Sequence, residues 1–304
     1  MILVAGGTGF VGAAVVRELR ARGRPVRVLS RDPGKVERRF PGLGVEAVAG
    51  DARDDASLRR AVQGCRVVVS CMQFQGFPVE KPSKGRTFVE VDQHGNERLV
   101  AAARDAGVQR YVYLSGSGAA PDAAKVWYRA KWAAEQAIAA SGVPFTVFRP
   151  SWVYGPEDNA LNRFVGFARR LPFVPVIGDG RQRLQPVFVA DVAKAVAEAL
   201  ETDAAAGRTY EIGGPEVLTM NEVLRTMLEV MGKRRPLLHS PVFLPKLAGF
   251  FLQVLPEPPL SPSAVDFVTA DATADNTALL ADFRLRLTPL REGLASYLAP
   301  GAGP

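Results

Sequence analysis

Cysteine and histidine are scarce in this sequence. Only Cys65, Cys71, His94 and His239 occur among 304 residues. A disulfide scaffold or a zinc cluster needs several such residues at short, regular spacings, so both are excluded and no metal is expected. Long hydrophobic runs are missing too. A bilayer-spanning helix needs about 20 apolar residues. The most apolar stretch, "SPVFLPKLAGFFLQVL" at 240–255, is shorter and is broken by two prolines and a lysine. The sequence enters an apolar strand at once, with no basic n-region or cleavage site, which makes the cytoplasm the expected compartment. Internal repeats and low-complexity linkers are absent. Acid is in mild deficit, with 31 Asp and Glu against 38 Lys and Arg, a net +7. The cations are dispersed and interleaved with acids, and the densest clusters, "RDPGKVERR" and "GKRR", are short. No nucleic-acid groove is expected. A solvated basic surface with a pocket for an anionic small molecule is.

What is present is a rhythm. Short apolar runs ("MILVA", "PVRVLS", "VEAVAG", "CRVVVSCM", "RYVYLSG", "PFTVFRP") alternate with helical patterns, among them Phe10 to Arg22, Phe88 to Ala106 and Lys125 to Ser141. That alternation predicts an α/β protein of Rossmann type: a doubly wound parallel sheet, with strands apolar throughout because both faces are covered. After Pro150 the rhythm changes to Pro- and Gly-rich turns and Pro-broken helices. We expect a nucleotide-binding domain at 1–150, with 186–215 returning to its sheet. A smaller, mainly helical lobe should comprise 151–185 and 216–304. Asp191 is expected to cap the helix in "VFVADVAKAVAEALE". Thr219 with Glu222 three residues on has the signature of a capping box.

The strongest local signal is "VAGGTGFVG", where the first strand meets the first helix. Gly6, Gly7, Thr8, Gly9, Phe10, Val11 and Gly12 form a loop satisfying both G-x-x-G-x-x-G and G-x-G-x-x-G. Glycines let backbone approach a pyrophosphate, and the helix N-terminus offers free N–H groups and a positive dipole end. A nicotinamide dinucleotide is the implied cofactor. At the end of the second strand, where an acid would accept from an adenosine ribose, Ser30 and Arg31 come first and an acid arrives only at Asp32. A guanidinium suits a 2′-phosphate, which favours NADP(H) over NAD(H). Asp51, followed by Ala52, is placed to accept from the adenine amino group or to cap the next helix. Ser70 and Cys71 end the fourth strand near the dinucleotide, and Pro150 ends the sixth. Cys71 reads as a small buried hydrophobe rather than a nucleophile. The Gly/Pro/Lys-rich loop at 73–87 lies at the same edge and is a candidate cover.

With "GGTGFVG", "YVYLSGSG", the lysine of "WYRAKW", "FRPSWVYGPED" and "PVFVADVA" in order, nearly the whole chain resembles the extended and atypical short-chain dehydrogenase/reductase superfamily. Within it the chain is most similar to bacterial relatives of the nucleotide-binding accessory subunit of respiratory complex I, near the NmrA-like and epimerase-like proteins. The resemblance implies a catalytic Tyr four residues before a Lys, and a Ser on the preceding strand end. Lys131 falls on the lysine, which would hold the nicotinamide ribose, and Ser115 and Ser117 are the serine candidates. The tyrosine position falls on Trp127, an indole with no transferable proton. Tyr128, one place late and rotated by about 100° around the helix, is the remaining candidate for the catalytic phenol. Trp127 is expected to fill the site beside the nicotinamide. Tyr154, in the turn after the sixth strand, is read as structural.

The sequence therefore points to an NADP(H)-binding protein whose tyrosine position is Trp127, a non-catalytic or atypical nucleotide-binding or sensing module. The alternative is an NADP-dependent oxidoreductase or epimerase-type enzyme acting on an apolar, lipid- or quinone-like substrate. The second ligand would be an apolar small molecule or a protein partner. The 240–255 stretch suggests peripheral contact with the inner face of a membrane, against a plain role lining the substrate lobe.

Overall fold

A computed structural model describes residues 1–74, 76, 79–252 and 262–299. In chain order it begins β1 (Ile2–Ala5), α1 (Phe10–Ala21), β2 (Val26–Ser30), α2 (Pro33–Arg39), β3 (Glu46–Ala49), α3 (Asp55–Val62) and β4 (Val67–Ser70). It continues α4 (His94–Asp105), β5 (Arg110–Leu114), α5 (Val126–Ala140) and β6 (Phe145–Pro150). Among the described residues these strands and the later β11 (Arg208–Ile212) form one sheet in the order β3-β2-β1-β4-β5-β6-β11. All its pairings are parallel. The strand order reverses between β1 and β4. That switch point opens a crevice at the strands' carboxyl ends, where doubly wound sheets bind ligands.

The apolar strand runs have the expected cause. Ile2, Leu3, Val4 and Ala5 are all buried, because helices cover both faces of the sheet. On one face pack α1, α7 (Val189–Ala199) and α11 (Thr277–Asp282), through Val15, Val16, Leu19, Val192, Val196 and Leu279. On the other face pack α3, α4 and α5, through Leu58, Val62, Leu99, Val100 and Ile138. Each such side chain fully buried contributes about 1.5–3 kcal/mol.

The remaining elements build a second core. They are β7 (Val153–Tyr154), α6 (Leu161–Arg170), β8 (Val174–Ile177), β9 (Arg183–Leu184), β10 (Val187–Phe188), β12 (Leu218–Thr219), α8 (Met220–Val230), β13 (Leu237–Ser240), α9 (Phe243–Leu252), α10 (Pro262–Thr269) and α12 (Leu290–Leu298). The strands pair as the ribbons β7–β10, β9–β12 and β8–β13. Tyr154, Leu161, Val165, Leu224, Met227 and Leu294 pack together between them. Thr219 and Glu222 close a complete capping box on α8.

Two local expectations change. The helix foreseen from Phe88 to Ala106 is divided into a π-helical turn at Phe88–Gln93 and then α4. Asp92, in that turn, is fully buried four residues after Phe88 and four before Asn96, on the face turned to the core. Asp191 does not cap α7, whose N-cap is Phe188. Its buried carboxylate accepts instead from Thr288 N at 2.7 Å and Thr288 Oγ1 at 3.0 Å, fastening the C-terminal segment to the helix. The charge cluster "RDPGKVERR" contains a short helix, α2, begun by Pro33 at the position where a missing N–H costs nothing.

Candidate functional site

The loop between β1 and α1 is shaped by close backbone approach. Gly9 N donates to Gly6 O at 3.0 Å, and Ala13 N donates to Gly9 O at 2.9 Å. Gly6 has φ +78°, a left-handed conformation, and a Cβ on it would stand 2.4 Å from the Cys71 carbonyl oxygen. A Cβ on Gly12 would stand 2.3 Å from Gly6 O, and one on Gly7 would press on the Val28 and Val16 side chains. The N-cap of α1 is Gly9 and no side chain caps it. The first-turn amides, among them those of Phe10 and Val11, therefore have no side-chain acceptor, and Thr8 precedes them in the same loop. The cradle the glycines leave fits a pyrophosphate.

The ends of β2 and β3 lie side by side, with Gly50 N donating to Ser30 O at 3.1 Å. The Ser30 hydroxyl donates to the Asp32 carbonyl and accepts from Asp32 N, closing a tight turn. Arg31, next in the chain, is exposed. The carboxylate of Asp32 accepts from Arg38 at 2.9 Å. Asp51 is not the cap of α3. That is Asp54, which accepts from Ala56 N at 3.0 Å. Asp51 is held by Arg53 through Oδ1 at 2.9 Å and Oδ2 at 2.7 Å, and these bonds, opposed by burial, keep its carboxyl below the usual range. Arg53 also donates to Lys84 O at 2.9 Å, tying the 73–87 loop to this end of the cleft. Ala52 packs where a Cβ on Gly95 of α4 would fall.

At the other end of the cleft the stem of Lys131 crosses Gly116, whose Cβ, if it had one, would lie 3.3 Å from Lys131 Cδ. Lys131 Nζ stands 3.6 Å from Asp92 Oδ1, and both side chains are buried or nearly so. The other oxygen of Asp92 accepts from Phe74 N at 3.2 Å, so this carboxylate links the lysine to the start of the 73–87 loop. Burial pushes the Asp92 carboxyl up to about 6, with the Lys131 ammonium opposing that rise. Asn96 donates to the Asp92 carbonyl at 2.7 Å and accepts from Ser70 Oγ at 2.6 Å. The Ser70 side chain is thereby spent on α4. Cys71 follows β4 beside Gly6 and is half-buried, and desolvation pushes its thiol up to about 12, unlike a reactive cysteine.

Trp127 is only 5% exposed. It packs with Phe74, Phe88 and Ala130, its ring centroid 5.8 Å from that of Phe88, which meets Phe74 edge-on at 4.7 Å. Tyr128, one residue on, packs on the backbone of Gly118. The two serines part company. Ser115 is buried and donates to Glu135 Oε1 at 2.5 Å, and Glu135 in turn accepts from Arg149 through both carboxylate oxygens. Ser117 donates to Thr273 O at 2.7 Å, and its amide donates to the Pro150 carbonyl at 2.9 Å. Tyr154 is fully buried in the second core.

Sequence reasoning singled out the glycine loop, Arg31 and Lys131, and it missed Asp92, Glu135 and Arg53. Glu135 lies one helical turn after Lys131 on an Ala-rich face, a spacing that was there to be read. Asp92 lies four residues after Phe88 and four before Asn96, the spacing of one helix face, and that too was there to be read.

Asp92 gives a testable pH dependence. Its folded-state pKa is raised from 3.8 to about 6. The folded protein therefore keeps a proton that the unfolded chain has released, and stability falls as pH rises through that window. Asp92→Asn is expected to remove about 2–3 kcal/mol of this fall between about pH 4 and pH 7, read by urea denaturation at both pH values. An unchanged slope would show that Asp92 is not the group.

This fold, with its glycine cradle at the switch point, defines a dinucleotide-binding protein of the extended short-chain dehydrogenase/reductase class. Residues 2–213 match the model of the NAD dependent epimerase/dehydratase family, and the chain belongs to that family. It is similar to the mitochondrial NADH dehydrogenase [ubiquinone] 1 alpha subcomplex subunit 9 of Arabidopsis thaliana. The two are 30% identical over 297 residues, 94% of this chain and 72% of the relative. It is also similar to the (4-alkanoyl-5-oxo-2,5-dihydrofuran-3-yl)methyl phosphate reductase of Streptomyces griseus, 35% identical over 77% of this chain and 74% of that enzyme. An NADPH-dependent quinone oxidoreductase of Escherichia coli, solved with NADPH, shares the fold with a TM-score of 0.74. It is 21% identical, over 97% of this chain and 99% of that one.

Proposed function

We propose that this protein is an NADP(H)-binding module of the epimerase-like branch in which the dinucleotide is a structural or sensed ligand rather than a turned-over cofactor. The observation that carries this reading is Trp127. It stands four residues before Lys131 and is locked into an aromatic cluster with Phe88 and Phe74. An indole at that position offers no phenolic proton, and Tyr128 is packed on Gly118, around the helix from it. In this reading the Gly6–Gly12 cradle holds the pyrophosphate. Lys131 leaves Asp92 to hold the nicotinamide ribose, and Ser117, Cys71 and Pro150 line that end. The similarity to subunits of mitochondrial NADH dehydrogenase supports a protein assembly as the destination of the module.

The test is the release of bound NADPH from purified protein, chased with excess NADP⁺ and followed by nicotinamide fluorescence. Release over minutes to hours is expected. Free exchange within seconds would show a ligand that can turn over. It would favour the second reading, a reductase for an apolar substrate. That reading has its own support in an open cavity of about 800 Å3 lined by Ile177, Gln182, His239, Val242 and Thr269. It also has the reductases among the relatives.

The preference for the 2′-phosphate rests on Arg31. Arg31→Ala is expected to weaken NADPH about 10- to 100-fold, as loss of a charge-assisted contact does, while NADH changes less than about threefold. Equal losses in parallel titrations would remove the assignment.

A further inference from the structure

We infer that the β13–α9 face of the second lobe seats on an anionic lipid bilayer surface. The helix α9 turns a stripe of large apolar side chains outward. Phe243 is 64% exposed, Leu244 47%, Leu247 53% and Phe250 65%. Positions 243, 244, 247 and 250 fall within about 120° of one another around a helix, so they form one face. Leu238 on β13, immediately before the helix, is 56% exposed and extends the apolar surface along the chain. No other element of the described residues carries such a group of exposed large hydrophobics. Single exposed Leu or Phe residues are ordinary, but a contiguous set is not.

Charge selects the partner. From Val230 to Leu252 there is no acid; Lys233 and Arg234 are exposed, Arg235 is half-buried, and Lys246 is paired with Asp266 at 2.6 Å. The parallel pairing of β13 with β8 adds more, because it sets the lead-ins of both strands at one end of the ribbon, with Val174 N donating to Pro236 O. Arg169 and Arg170, at the end of α6 just before β8, therefore come to the same end as Lys233, Arg234 and Arg235. A basic group at one end of a short ribbon and an apolar helix at the other is a two-part anchor. The cations meet anionic headgroups and the stripe enters the acyl boundary. One weak signal binds membranes only marginally, and two together hold. No helix among the described residues is long and apolar enough to cross a bilayer, so the contact is peripheral. Residues 253–255 of the apolar stretch lie outside the described residues.

The experiment is sedimentation of the full-length protein with phosphatidylcholine vesicles, with and without phosphatidylglycerol. Binding is expected only with phosphatidylglycerol and should weaken as salt rises. Phe243→Ser with Leu247→Ser should weaken it at least about tenfold. Lys233→Glu with Arg234→Glu should weaken it by about fivefold per cation removed. All four residues are on the surface, so the melting temperature and NADPH affinity of the variants should match the parent. Vesicle binding that ignores both double variants would overturn the inference, as would absence of binding to either vesicle. Concentration-dependent dimerisation abolished by Phe243→Ser, without vesicle binding, would make the face a contact between two copies and would also overturn it. NADPH release is read separately, so this inference and the proposed function stand or fall apart from each other.

Discussion

Gly12→Ala is expected to abolish useful nucleotide binding, with NADPH affinity falling by at least about 100-fold, or roughly 2.7 kcal/mol. The added Cβ would lie 2.3 Å from Gly6 O, 2.8 Å from Gly6 C and 2.9 Å from Gly7 Cα. All three are backbone atoms, so no side chain can rotate away and the loop itself must move. Moving it pulls Gly6 from the Cys71 carbonyl and reorients the amides at the start of α1, the two features that shape the cradle. Gly166→Ala is the control. Gly166 lies in α6 with nothing near its would-be Cβ. There alanine should leave NADPH binding unchanged and stabilise the helix by up to about 1 kcal/mol. Fluorescence titration and thermal melts of both variants check the pair. Parent-like affinity in Gly12→Ala would mean that the dinucleotide does not use this loop.

The second large effect is expected at Glu135. Its carboxylate is almost fully buried and accepts from Ser115 and from two nitrogens of Arg149. This charge-assisted bonding raises the Arg149 pKa above its ordinary value against the cost of burial. Glu135→Ala leaves a partly buried guanidinium and a buried hydroxyl without their acceptor, a loss of about 3 kcal/mol. For a chain of this size the melting temperature should fall by roughly 5 °C. Because a buried pair is costly to desolvate, Glu135→Leu with Arg149→Met should recover most of that loss. A single variant that melts with the parent would show that solvent already satisfies Arg149. The result also bears on Ser115. Its hydroxyl belongs to this network at the end of β5 and β6, whereas Ser117 reaches toward Thr273 in the second lobe.

Legibility followed the range of each interaction. The glycine loop could be read because its requirement is local: strand, turn and helix start are consecutive, and only glycine suits them. Five of the six strands of the first half were legible as apolar runs because burial leaves a continuous signature, and β3, at the sheet edge, is exposed at Glu46 and Ala49. The capping box on α8 was legible because Thr219 and Glu222 are three residues apart. Trp127 was recognisable by counting from Lys131. Its setting was not, because Phe74 and Phe88 come from a different segment of the chain.

The pairings that decide the site are long-range. Asp92 meets Lys131 only where its turn packs against α5, a segment distant in the chain. Asp191 looked like a cap because an acid near a helix start usually is one, yet its partner Thr288 is 97 residues away. A buried charge and a solvated one have the same letter. What the sequence determined by itself was the fold class, the glycine loop between strand and helix and the spacing of Trp127 from Lys131, since short-range geometry and periodic burial suffice for these. Only the tertiary structure decided which carboxylate faces Lys131, which serine is spent on Glu135 and which large apolar side chains of α9 are exposed. Those outcomes depend on which distant segments pack together and exclude water.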